Sequence, residues 1–360
     1  MATIVETAPA LLRRLLIAGV CAAGASALCS AARADGGAPA PLFSSNEPVS
    51  LTLAMPVRKL VSRKRSRPEV DGTLSYTGAD GRRTSLDVEV STRGHSRLEL
   101  CSFPPLKLNL KRKQVKETLF AGQNKLKLVT ACMSGSRAEQ YLTLEYLIYR
   151  LYGEVTPLSF RVRPVRMEYV DTGRKNRSET GPGFLIEAID GVAERTGMRV
   201  VERPEIDTAD LEPEQFALLS VFQYMIGNTD WSAIAAEADD DECCHNASLL
   251  GSPDQSGALI AVPYDFDQAG LIDAYYALPA RRLPIRSVRD RLYRGACSGN
   301  EYLESVAARF DAARPVIEAF FATEDLGDRY RDRAMDYLAD SYDILDDPER
   351  RHEEIVTHCR

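Results

Sequence analysis

Five stretches between residues 50 and 130 place apolar residues at about every second position: "SLTLAMPV", "GTLSY", "SLDVEVS", "PLKLNL" and "NKLKLVT". A period of two marks strands with one buried face. The second and third flank the turn-rich "TGADGRR", which predicts a hairpin. The period then changes. Leu144, Leu147, Ile148 and Leu151 form one helical stripe, and Ser136 with Glu139 three residues on predicts a capping box at its start. "SFRVRPVRMEYV" (159–170) and "GFLIEAI" (183–189) return to strand character. Leu218, Val221, Phe222 and Met225 share a helical face that Gly227 ends, and a strand over 257–264 follows. The remainder reads as helical, with Pro315 expected to kink or split one helix.

These elements predict an α+β chain: a β-rich half with one helix over 51–205, then a mostly helical half over 206–360. Residues 35–50, "DGGAPAPLFSSNEPVS", read as a linker. Ahead of it, Arg13 and Arg14 precede the apolar "LLIAGVCAAGASALC", and "AARA" offers a cut after Ala34. A charged start, a short apolar run and small residues predict a signal peptide over 1–34 and an exported mature chain, periplasmic or secreted. The apolar run is short for a membrane span, and none comparable follows, so no span is expected in the mature chain.

The chain holds 45 Lys and Arg against 52 Asp and Glu; without the leader's three arginines and one glutamate the net charge is about −9. That balance argues against a general nucleic-acid surface. The basic run "RKLVSRKRSR" (58–67) reads as a solvated loop or strand edge. Six cysteines follow the leader: Cys101, Cys132, Cys243, Cys244, Cys297 and Cys359. An even number in an exported chain points to disulfides, although the sequence does not choose among their pairings. Zinc is disfavoured because Cys243 and Cys244 lack the usual two-residue spacer.

The candidate chemistry gathers late in the chain. "GNTDWS" places Asn228 and Asp230 after a buried helix; "HN" supplies His245 and Asn246; "VPYDFDQAG" supplies Asp265 and Asp267 directly after an apolar strand. Protein kinases use an Asp near the substrate hydroxyl, then an Asn and an Asp-Phe-Gly aspartate on Mg²⁺, in that order. Mg²⁺ is satisfied by one or two carboxylates completed by phosphate oxygens and water. Earlier, "VSTRGHSR" offers Arg93, Gly94 and Ser96 as phosphate contacts, and Lys107 lies in "PLKLNL", with Lys125 and Lys127 in the next strand. Glu187 sits among apolar neighbours, where an unpaired carboxylate is costly, and is expected to pair with one of these lysines.

"STRGHSR…FPPLKLNL", "GFLIEAID", "NTDW…HN" and "PYDFDQAG" together resemble the CotH family of spore-coat-type atypical protein kinases over roughly residues 88–270. The resemblance implies a bilobal kinase-like fold, with a β-rich N-lobe and a helical C-lobe. It implies ATP and Mg²⁺ (or Mn²⁺) as cofactors and a protein Ser/Thr hydroxyl as acceptor. Asp230 would be the catalytic base, and Asn246 and Asp265 would be metal ligands. Asp267 would be a second metal ligand or a supporting group, and Lys107, oriented by Glu187, would bind ATP. Trp231 and the "HN" pair depart from the family pattern, where Arg and Asn-Asn are common. The resemblance also favours bridges Cys101–Cys132 and Cys297–Cys359, leaving Cys243 and Cys244 as a vicinal disulfide or two thiols. Two other readings stand beside the kinase: a non-catalytic envelope scaffold, and a metal-dependent phosphoesterase using Asp230, Asp265 and Asp267.

Overall fold

In the computed structural model, residues 40–174, 177–236, 243–280 and 282–360 are described. The expected leader over 1–34, the first part of the linker and the acidic run at 237–242 lie outside them.

The alternating stretches form strands β1 (Val49–Met55), β2 (Val70–Thr77), β3 (Arg83–Thr92), β4 (Leu106–Leu110) and β5 (Lys125–Thr130), joined by β6 (Val162–Asp171) and β7 (Arg177–Ile186). They do not make a kinase-like N-lobe. The sheet closes on itself as a seven-stranded barrel in the order β1-β2-β3-β4-β5-β7-β6. Closure is made by β1, antiparallel to β2 on one side and parallel to β6 on the other, with Leu53 opposite Tyr169. The bilobal kinase-like architecture is therefore replaced by a closed mixed barrel carrying helices. Local alternation reports which face of a strand is buried, but it is silent about whether the first strand finds the sixth.

Inward positions of the barrel make their own core, including Leu53, Leu74, Val90, Leu108, Leu128 and Leu185. The outer face of β5, β6 and β7 belongs to a second core: Val129, Val162, Phe184 and Ile186 pack against the helical body. These strands are apolar on both faces where the body covers them, as strands buried on both sides must be.

Short helices α1 (Val57–Ser62), α2 (Ser96–Leu100) and α3 (Arg112–Val115) decorate the barrel connections. The basic run 58–67 thus enters α1 rather than a strand edge. Helix α4 (Ser136–Val155) carries the predicted stripe, and Leu144, Leu147, Ile148 and Leu151 are all buried. Each such side chain contributes roughly 1.5–3 kcal/mol on burial. The expected capping box is not made: Gly135 is the N-cap and Ser136 is already helical. After α5 (Ile189–Thr196), strand β8 (Arg199–Val201) pairs with β9 (Ala247–Gly251), and β9 pairs with β10 (Ile260–Pro263). Helix α6 (Pro213–Met225) is capped by the Glu212 side chain, which accepts from Gln215 N.

The second half is less helical than its pattern suggested, because residues 264–296 form no helix among those described. Helices α7 (Leu303–Thr323) and α8 (Asp328–Asp346) come only afterwards, and α7 continues through Pro315 without being split. Cys101–Cys132, Cys243–Cys244 and Cys297–Cys359 stand at disulfide bonding distance. The first of these ties the end of α2 to the end of β5. Among the described residues no helix is long and apolar enough to cross a membrane.

Candidate functional site

The hairpin of β9 and β10 presents two segments side by side. Pro263 lies opposite Ala247, and Tyr264 N donates to Asn246 O at 2.9 Å. Asn246 and Asp265 both adopt left-handed backbone, with φ of 54° and 63°. Non-glycine residues there cost free energy and persist where the surroundings hold them, often at functional sites. Here the Tyr149 hydroxyl, from α4, accepts from Asp265 N at 2.9 Å.

Asp230 arrives from the loop after α6. Gly227, with φ of 62°, opens that loop, and a side chain there would meet the Tyr337 hydroxyl at 2.0 Å, so glycine is required. Buried Asn228 bonds Gln223 at 2.9 Å and accepts from Asp230 N at 3.0 Å, which sets the loop. The Asp230 carboxylate then meets His245 Nε2 at 2.9 Å, while Asn246 Nδ2 donates to its backbone oxygen at 2.7 Å and to Oδ2 at 3.2 Å. Three segments expected to converge on sequence order therefore meet at one end of one hairpin.

Beneath Asp265 lies a cluster centred on Arg97, the last residue of "RGHSR", for which the sequence motifs predict no role. Arg97 is buried on α2. Its Nε donates to Asp267 Oδ2 at 2.9 Å, and its Nη2 donates to both Glu145 oxygens at 2.8 Å. Asp265 Oδ1 stands 3.3 Å from the same Nη2. One guanidinium thus faces three carboxylates. Burial pushes Glu145 up to about 7 despite Arg97, and Asp267 is raised for the same reason. Asp265 behaves oppositely: burial would raise it, but Arg97, Arg93, Lys127 and His245 together hold it below the usual carboxylate range. It stays anionic. Glu145 was legible in principle, because a carboxylate inside an apolar helical stripe demands a buried partner.

The early segments divide. Arg93 is half-buried and its charge reaches both Asp265 and Lys127. Gly94 and Ser96 lie on the turn between Arg93 and Arg97, with Gly94 O accepting from Arg67 at 3.1 Å. Lys107 is exposed on β4. Among the described residues Glu187 pairs with no lysine. It accepts from Arg195 Nε and Nη2 at 3.2 and 3.1 Å and from Arg161 N at 3.1 Å, and Arg195 also bonds Pro157 O and Ser159 O. Asp267 is buried and gives its Oδ2 to Arg97.

Among the described residues no group of three or more His, Cys, Asp and Glu is arranged as a metal cage. A cation completed by phosphate oxygens needs no such cage. Asp265 fits that case: it is held anionic, and although its buried Oδ1 faces Arg97, part of its side chain remains open. No protein-family model matches the chain, and no curated protein matches it.

Proposed function

We propose that this chain is a Mg²⁺-dependent phosphotransferase that moves the γ-phosphoryl group of ATP to a Ser or Thr hydroxyl of an exported protein. The reading rests on site chemistry and not on a kinase-like architecture, which this chain does not have. The observation that carries it is the meeting of Asp230, His245, Asn246 and Asp265 at one hairpin end, close to the charge of Arg93 and Lys127. Asp265 and Asn246 would hold the metal, which when bound neutralises charge on the phosphates. Asp230, with 41% of its side chain exposed and one oxygen on His245, is the group able to take the acceptor hydroxyl's proton. Arg97 fixes Asp265 from below and keeps it ionised.

Mature protein incubated with labelled ATP and Mg²⁺ or Mn²⁺ should label itself or an added protein acceptor, and Asp230→Asn should abolish labelling while nucleotide with metal still raises Tm. Absence of both labelling and any nucleotide-dependent Tm rise in the wild type would leave the non-catalytic scaffold.

A further inference from the structure

Lys127 occupies a position that strand alternation cannot distinguish from Lys107. On β5 it lies directly opposite Lys107 of β4 on one side and Ile186 of β7 on the other. Directly opposed residues share a face, here the outer face of the barrel. Ile186 is covered by the helical body and Lys107 is exposed, so Lys127 sits at the rim, half-buried. Its ammonium lies 3.7 Å from the centroid of the Tyr264 ring and 5.7 Å from that of Phe160. Among the described residues it makes no hydrogen bond and no ion pair.

An ammonium with three donors, partly out of water and set against aromatic faces, leaves its hydrogen bonds to solvent; cation–π contact offsets part of the cost of its partial burial. Arg93 and Lys107 stand near enough to repel it, and Asp265, next in chain to the Tyr264 ring, attracts it. A ligand that displaces this water and suits three neighbouring cations beside Asp265 would be a polyanion. Resting on the phosphotransfer reading, we infer that Lys127, rather than Lys107, directly contacts the non-bridging oxygens of a substrate polyphosphate chain, with Tyr264 as the platform that aims it. Burial, aided by Arg93 and Lys107 and opposed by Asp265, pushes this amine down to about 7.

Inorganic tripolyphosphate without divalent metal, titrated calorimetrically into the mature chain, tests this apart from turnover. Lys127→Met should weaken binding at least about tenfold, Lys107→Met by less than about threefold, and Lys127→Arg should recover most of the loss. Binding to Lys127→Met within about threefold of wild type, or no binding by wild type, overturns the inference. Should Lys127→Met not fold, trinitrobenzenesulfonate labelling of wild type followed by peptide mapping decides: tripolyphosphate must slow modification of Lys127, and equal rates refute the contact. Lys127-dependent tripolyphosphate binding without phosphotransfer would sink the function proposed above and leave this contact standing. Phosphotransfer unchanged by Lys127→Met would do the reverse.

Discussion

Two buried guanidinium–carboxylate groups brace this molecule, and their charges are balanced differently. Arg195 and Glu187 form a direct pair of one guanidinium on one carboxylate, with remaining bonds to Arg161 N, Pro157 O and Ser159 O, and the Arg161 charge acts on both. Arg97 must serve Glu145, Asp265 and Asp267 together, and one Asp265 oxygen is left without a hydrogen bond. Such a direct pair restrains structure. An acid excess that opens on one side, with 22% of the Asp265 side chain exposed, can take a further cation. Glu187, the more conspicuous carboxylate in sequence, thus belongs to the first group and not to the one around Asp265.

The largest expected effect separates the open cluster from the direct pair by activity. Asp265→Asn should lower phosphotransfer at least about a thousandfold, because positioning and charge neutralisation carry this chemistry. It should leave stability within about 1 kcal/mol, since the attraction lost to Arg97, Arg93 and Lys127 is offset by the burial cost and carboxylate repulsion that go with it. Near-wild-type turnover in Asp265→Asn would remove Asp265 from the site.

Stability should sharpen the same contrast. Arg97→Met and Arg195→Met should each cost about 3–5 kcal/mol by stranding buried carboxylates. Adding Glu187→Met to Arg195→Met should return at least half of that loss, as both members of the direct pair are then gone. Adding Glu145→Met to Arg97→Met should return little, because Asp265 and Asp267 still face each other. Urea unfolding followed by the fluorescence of the single tryptophan, Trp231, measures both cycles. Equal recovery would mean the two clusters are alike.

The smallest effect is a pH slope. Glu145 is raised from 4.5 to about 7 in the folded chain, so between those values the native state holds a proton that the unfolded chain has released. Stability from this group is complete below about 4.5 and declines as pH rises towards 7, by about 3 kcal/mol. Asp267, raised as well, acts in the same direction. Asp265, held low, acts oppositely: its contribution is present above its ordinary 3.8 and lost only on stronger acidification. Glu145→Gln should flatten the decline between pH 5 and 7 in thermal melts; an unchanged slope would place the proton elsewhere.

Much of the local structure was legible in the chain. The alternation of β1 to β5, the stripe of α4 and the face of α6 depend on neighbours within a few residues, and burial enforces them. The order of Asp230, Asn246 and Asp265 could also be read, because Asp230 follows α6, Asn246 directly precedes β9 and Asp265 follows β10. What only the tertiary structure decided depends on distant partners. Whether β1 closes on β6 is settled by pairs such as Thr52 and Glu168, 116 residues apart. Lys107 and Lys127 look alike along their strands and differ only in whether the helical body, with Phe160 and Tyr264, covers them. Arg97 gains its meaning from Glu145 on a helix 48 residues later and from Asp267 170 residues later. Side-chain period is a short-range property of the backbone, whereas burial and charge pairing are properties of the folded surface, and those decided which lysine, which arginine and which glutamate surround Asp265.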